Sequence, residues 1–269
     1  MITDSRRVHF TDKKINGPLS NENLSNHLMV RVSAKEQIFK SVNFRYTFFD
    51  TCYFRKCVFD ECNFTGCRFV GSNLTGTSFL GCTFDYATFE RTIIDPHVLD
   101  DCCPGHDNLK EKFARTLRMN FQQLGDAVSA NLAIRVELDA TESKLRKSWA
   151  SNESYYRSHY RGIDRVVGFF RYIEFKLLDI VWGNGENLFK LLRATVFFIF
   201  AITINDAIVR HNPIDLRSYY LAAIAAPQIF LGTLSPPQYQ NGFLTGVQVV
   251  RLVFFGFFMS IIIKRFNRR

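Results

Sequence analysis

The 269-residue chain lacks most of what an enzyme shows in its sequence. It has no Cys-x-x-Cys pair, no Walker-type phosphate loop, no nucleophile elbow, no His-Glu-x-x-His and no glycine-rich dinucleotide fingerprint. Its six His are scattered, and none pairs with another at ligand spacing. These absences argue against catalysis, and no metal or cofactor is expected. An acidic excess is missing too. The formal charge is +9, which argues against a soluble mimic of DNA. The N-terminus is polar and has no apolar run, so no cleavable signal peptide is expected.

What the chain has in quantity is Phe, 28 in all. Many of these sit at a fixed spacing of five: Phe39, Phe44, Phe49, Phe54, Phe59, Phe64, Phe69, Leu74, Phe79, Phe84, Phe89 and Ile94. Neither a helix nor a strand keeps every fifth residue on one side over such a length. A short fixed period means a stacked solenoid. A second, small position runs two residues ahead: Thr47, Cys52, Cys57, Cys62, Cys67, Ser72, Thr77, Cys82, Ala87 and Thr92 among them. A large and a small inward residue together fill a narrow coil. The remaining positions are mostly polar, charged or Gly, with Gly66, Gly71, Gly76 and Gly81 suited to tight corners. Ser, Thr and Ala stand where Cys stands in neighbouring units, so the five cysteines read as small buried side chains and not as ligands. Reduced inward thiols suit the cytosol.

The units Cys-Asn-Phe-Thr-Gly (62–66), Ser-Asn-Leu-Thr-Gly (72–76) and Ala-Thr-Phe-Glu-Arg (87–91) resemble those of pentapeptide-repeat proteins. The resemblance implies a right-handed quadrilateral β-helix with four units per coil, about three coils over residues 37–96. It says little of function, because that fold serves many.

Beyond residue 187 the composition changes. Residues 188–204 and Phe243–Ile263 are apolar, and about 20 such residues cross a bilayer. Lys190 and Arg193 precede the first span, and Lys264, Arg265, Arg268 and Arg269 follow the second. Between the spans Arg210 and Arg217 offset Asp206 and Asp215. The positive-inside rule then puts both termini and the repeat domain in the cytoplasm. From Leu188 onward nine Lys and Arg face two Asp and Glu, so +7 of the +9 belongs to membrane anchoring and not to nucleic acid. A third apolar stretch, Tyr219–Ala226, is too short to cross. Pro227 is expected to end it, and Gly232-Thr233-Leu234-Ser235-Pro236 follows. Such a half-helix and loop describe a re-entrant segment, tolerated at depth only inside protein or beside water.

Residues 188–269 resemble the two-transmembrane, potassium-channel-like pore module. There a pore helix leads into a Thr-x-Gly-Tyr-Gly-Asp filter followed by Ser-Pro. Here Leu-Gly and Ser-Pro remain and the Tyr-Gly-Asp core does not, so potassium selectivity is not expected. The resemblance implies a homo-oligomer, a tetramer first. Gly232, Thr233, Leu234, Ser235 and Pro236 are the candidate pore loop. Gln248, Arg251 and Phe255 are the candidate lining, and Gly256 the candidate gating hinge. Arg251 reads two ways: as a ring of charge lining water, or as a structural group bonded to loop carbonyls or to Asp206.

Residues 107–185 carry helical spacing with a stop and restart at Gly125-Asp126. Leu-Arg-Met-Asn-Phe-Gln-Gln-Leu-Gly-Asp (117–126), followed by Ala-rich spacing, resembles the helical hairpin that joins pentapeptide repeats to channel modules. Residues 154–182 mix Arg157, Arg161, Arg165 and Arg171 with Tyr155, Phe169, Phe170 and Trp182, as a helix lying in the membrane interface would. Asp164, Glu174 and Asp179 dilute the charge a nucleic-acid site would need. The expected fold is thus a multi-domain membrane protein. Residues 1–36 form a cap segment, 37–96 the β-helix, 97–153 a helical hairpin coupler, 154–187 an amphipathic interfacial helix and 188–269 a two-span pore module.

The expected function is an oligomeric ion-conducting pore in a bacterial inner membrane, regulated by the cytosolic repeat domain through an unknown protein or ligand trigger. It suits a membrane-depolarising stress or antiphage defence effector. The alternative is a membrane-anchored scaffold that binds a protein partner without ion flux.

Overall fold

A coil that turns inward every five residues needs a corner every five residues. In the computed structural model, which describes residues 7–210, 212 and 214–266, every fifth residue from Asn21 to Arg91 has a φ between +46° and +69°. Only four of those corners are Gly. The others are mostly Asn, Ser, Glu, Arg, Lys or Tyr held in the left-handed region by the coils stacked on them. Gly66 is required for a second reason: a Cβ there would lie 2.5 Å from Cδ1 of Tyr46, whose ring covers that corner.

Between corners run short strands: β1 (Val8–Thr11), β2 (Leu19–Ser20), β3 (His27–Val30), β4 (Ser33–Lys35), β5 (Ile38–Lys40), β6 (Phe48–Asp50), β7 (Tyr53–Arg55), β8 (Val58–Asp60), β9 (Arg68–Val70), β10 (Ser78–Leu80) and β11 (Thr88–Glu90). They pair in parallel, mostly with partners 20 residues apart, such as Phe39 with Phe59 and Phe49 with Phe69. The order β1-β3-β6-β9-β11 along one wall and β2-β5-β8-β10 along another shows one strand per coil on each wall. The Phe rings therefore stack in columns. Phe44 and Phe64 lie 5.1 Å apart at 5°, and Phe64 and Phe84 lie 4.9 Å apart at 9°.

The solenoid begins before residue 37, which corrects the expected cap segment. From β1 through β4 the chain already coils, giving about four turns in all. Ala34 and Met29 continue the five-residue register fully buried, and Leu24 and Leu19 pack against the core. Before Leu19 the register slips by one residue. Phe10 and Ile15 pack inward, and Val8 pairs with His27, 19 positions on. Loss of Phe and a one-residue slip conceal this coil in the sequence.

The other edge of the solenoid meets helices. A short α1 (Val98–Asp101) leads to α2 (Asp107–Gln123) and α3 (Ala127–Ala150). Gly125 turns at φ +73°, and the Asp126 carboxylate caps α3 by accepting from Ser129 N–H at 3.0 Å. Phe113, Leu117 and Phe121 of α2 join the Phe core. Where a next strand would pair, α2 offers side chains. Thr116 Oγ1 accepts from Phe89 N–H at 3.1 Å and Gln123 Oε1 from Arg91 N–H at 3.1 Å. Asn120 accepts from Thr92 N–H and donates to Thr92 C=O, both at 2.8 Å. These residues lie at i, i+4 and i+7, one face of a helix imitating an extended strand. Ion pairs of Glu111 with Lys144 and of Glu137 with Arg115 and Arg118 bind α2 to α3.

The expected interfacial helix over 154–187 is two helices, α4 (Ser154–His159) and α5 (Ile163–Trp182), broken where Gly162 takes φ +52°. Ile163, Val166, Val167, Phe170, Ile173, Leu177 and Ile180 of α5 form one exposed apolar stripe. The chain divides into two units, Met1–Gly168 and Phe169–Arg269. In the second, α6 (Leu188–Arg210), α7 (Leu216–Leu231) and α8 (Asn241–Phe266) pack together. α6 and α8 are long and apolar enough to cross a membrane. Arg268 and Arg269 lie outside the described residues, as does the side chain of Arg265.

Pro227 does not end α7, as the sequence suggested. The helix continues through it to Leu231. Pro227 has no N–H, so the bond from residue 227 to the carbonyl of Ala223 is lost. Ser218, Ala222 and Ala226 on α7 and Thr203 and Ala207 on α6 are buried. Small residues at this spacing let two membrane helices approach closely.

Candidate functional site

The residues proposed for the loop and lining converge on the C-terminal end of α7. Gly232 stops that helix at φ +75°, its N–H bonded back to Ile229 C=O at 3.1 Å. Thr233 N–H takes the Gln228 carbonyl at 2.9 Å. The Leu231 carbonyl is taken by Arg251 Nη1 from α8. A cation is well placed at this negative end of the helix dipole. Of the two readings of Arg251, the geometry supplies the bond to a carbonyl of the α7 end. Asp206, the other partner considered for Arg251, bonds Tyr239 and Arg210. A Cβ on Gly232 would collide with the Arg251 guanidinium, so these two residues are matched to each other.

A cavity of about 320 Å³ lies beside this contact. Leu191 and Thr195 of α6, Phe230 and Leu231 of α7, and Arg251, Phe254, Phe255 and Phe258 of α8 line it. Phe255 thus joins Arg251 at the site. Gln248 stands one turn before Arg251 on α8 and is exposed, and so are Gln228 and Thr233 at the end of α7. Gly256 is exposed inside a regular helix that runs past it. Leu234 packs against Ile229, Phe230 and their neighbours, Pro236 is buried, and Ser235 points out.

Two further groups of contacts escaped sequence reasoning. The Asp206 carboxylate, wholly buried on α6, accepts from Tyr239 Oη at 2.6 Å and from Arg210 Nη1 at 3.2 Å. Tyr239 also stacks on Phe243, 4.8 Å away at 12°. At the other end of the helices, Gly183, Asn184 and Gly185 take three left-handed conformations in a row between α5 and α6. There Trp182 stacks on Phe257 at 4.0 Å, and Lys264 Nζ reaches Gly185 C=O and the Glu186 carboxylate, each at 3.4 Å. Lys190 pairs with Asp179 at 2.8 Å. The signals available were the Gly-Asn-Gly triplet and a Tyr in a loop, both easily passed over.

In the solenoid the small inward residues share a role that their chemistry hides. From Thr47 to Cys82 each reaches the carbonyl 23 residues earlier, as with Cys67 Sγ to Phe44 at 2.9 Å, Cys82 Sγ to Phe59 at 3.3 Å, Ser72 Oγ to Phe49 at 3.4 Å and Thr47 Oγ1 to Leu24 at 2.6 Å, whereas Ala87 has no donor and Thr92 Oγ1 donates to Glu90 C=O at 3.1 Å. Cys102, outside the repeat, does the same toward Phe79 at 3.4 Å. Burial pushes the Cys52 thiol up to about 11 and the Cys67 thiol up to about 12. Both are therefore protonated donors at neutral pH.

Residues 38–76 match a family described as pentapeptide repeats (8 copies), and residues 59–99 a second one, pentapeptide repeats (9 copies). The solenoid is therefore built of pentapeptide repeats. A crystal structure of a pentapeptide repeat protein from the Arabidopsis thaliana thylakoid lumen is similar at 16% identity and a TM-score of 0.20, over 37% of this chain and 76% of that one. A trypsin-treated form of QnrB1, a plasmid-mediated fluoroquinolone resistance protein, is similar at 15% identity and a TM-score of 0.16, over 32% and 79%. Comparison with curated proteins finds no match.

Proposed function

We propose that this chain is one protomer of an oligomeric membrane pore, with α7 and the loop after it as a re-entrant segment and the solenoid unit as the part that receives a trigger. The carrying observation is a set of polar side chains at the depth of the apolar spans. Gln228 and Thr233 on and after α7 and Gln248 on α8 are exposed, and Arg251 beside them is half-buried, in helices otherwise clothed in Leu, Ile, Val and Phe. Left in hydrocarbon, each uncovered polar group costs several kcal/mol. Copies arranged around a water-filled axis remove that cost, and four copies is the number the channel resemblance implies. Arg251 near the middle of α8 disfavours cations, and the loop has no Tyr-Gly-Asp ladder to hold potassium. The proposed setting is a bacterial inner membrane with the solenoid in the cytoplasm. The proposed role is regulated depolarisation, as in stress or antiphage defence.

The anchor reading also has an observation in its favour. Arg251 already has a structural task, holding the Leu231 carbonyl, and that task requires no ion flow. Planar-bilayer recording in asymmetric salt separates the two. A pore gives discrete conductance, with a reversal potential that moves toward cations in Arg251→Ala. An anchor gives no current in either protein, while partner capture by the solenoid survives both.

A further inference from the structure

We infer that Asp206 is a positioning residue for the connection between α7 and α8. Two fixed points define that connection. Its start is held by Arg251 on α8, through the Leu231 carbonyl. Its end is held by a different helix, α6, where the Tyr239 hydroxyl donates to Asp206 at 2.6 Å.

The second point has the stronger physical demand. Asp206 is 0% exposed, and a buried carboxylate is tolerated only with partners that match its charge. One partner, Arg210, is a neighbour on the same helix, which any conformation of the loop would leave in place. Another lies 33 residues away in the chain and exists only while the loop is seated. A hydroxyl donating to a carboxylate makes one of the stronger hydrogen bonds available to a side chain. Tyr239 N–H closes a turn on the Pro236 carbonyl at 3.2 Å, so the bond to Asp206 fixes residues 236–239 as a block. Leu234 then packs inward, while Gly232, Thr233 and Ser235 are left exposed. What the seated loop does for ions rests on the pore reading above. The seating itself does not.

The test uses full-length protein in nanodiscs carrying Leu234→Cys, labelled with maleimide and corrected for the parent protein. Asp206→Asn and Tyr239→Phe should each raise the labelling rate roughly tenfold, as expected when a charge-assisted hydrogen bond no longer holds a segment closed. Tyr220→Phe, on the exposed side of α7, should leave the rate alone. If Asp206→Asn does not fold, Tyr239→Phe decides the matter, since it removes one oxygen and no charge. Unchanged labelling in a folded Tyr239→Phe protein overturns the inference. Raised labelling in a protein that never carries current upholds the seating of the loop and shifts the weight to the anchor reading.

Discussion

The two units finish their burial differently. In the solenoid Phe59, Phe64 and Phe69 each have a ring above and a ring below, and Phe39, Phe44, Phe49, Phe54, Phe64 and Phe69 are shielded by this chain alone. In the helical unit the most apolar window of α8 is only 11% buried, and that of α6 22%. Both are rich in Phe, so composition does not separate them. The difference is one of solvent. A five-residue repeat closes on itself, whereas an apolar helix leaves a bare surface, which the pore reading covers with lipid and with copies of the chain. Function is easier to place on the second kind of unit, because its unsatisfied groups point to what is missing.

The same substitution made in both units breaks or confirms this comparison most sharply. Phe64→Ala empties the middle of a ring column and should cost about 3–5 kcal/mol, read by denaturant unfolding. Phe197→Ala, at a residue 65% exposed on α6, should cost less than about 1 kcal/mol in detergent. Equal losses would mean that the exposed face of α6 is covered within the chain after all.

Next in size is the seal on the solenoid. Asn120→Leu removes two hydrogen bonds from Thr92 and leaves both of its backbone groups unpaired, a loss of about 2–3 kcal/mol. Amide exchange should accelerate in the last coil and not in the middle ones. In the helical unit, Gly232→Ala puts a side chain at φ +75° and against Arg251. The expected cost is about 1–2 kcal/mol, visible as a lower thermal midpoint that Arg251→Ala partly restores.

The smallest effect is a pH dependence confined to the solenoid. The Cys52 and Cys67 thiols are raised from an ordinary 9.0 to about 11 and about 12. The folded state holds these protons more tightly than the unfolded state. Their contribution is thus complete below pH 9 and lost as pH rises through 11 to 12. Thermal melts of wild type and a Cys52→Ser, Cys67→Ser protein should differ by a constant amount below pH 9. Above it wild type should fall faster.

Much of the solenoid was legible because its period is local. Phe39 to Ile94 state the coil without reference to any distant residue. The first coil was not legible, since Met29 and Leu24 replace Phe and one residue is missing between Ile15 and Leu19. The hydrogen-bonding role of Cys, Ser and Thr was also hidden, because nothing in a list of small residues says that those from Thr47 to Cys82 reach a carbonyl 23 positions back. In the helical unit Gly232, Arg251 and Phe255 were each visible as unusual residues for their setting. That Arg251 bonds the carbonyl just before Gly232 depends on the crossing of two helices, which no spacing encodes. Asp206 and Tyr239 are further from reach. The acid read as one charge among four that cancel or as a partner for Arg251, and nothing in the sequence singled out Tyr239.

The seal that α2 forms with Thr116, Asn120 and Gln123 also acts as an index on the length of the solenoid. Because one coil is 20 residues, inserting 20 residues would return the same wall to α2 and carry the hairpin along the axis by about 4.8 Å. Inserting five would present the next wall and swing the hairpin by a quarter of a turn. Length can therefore vary in whole coils without rebuilding the junction, and in single repeats only by re-aiming everything that follows it.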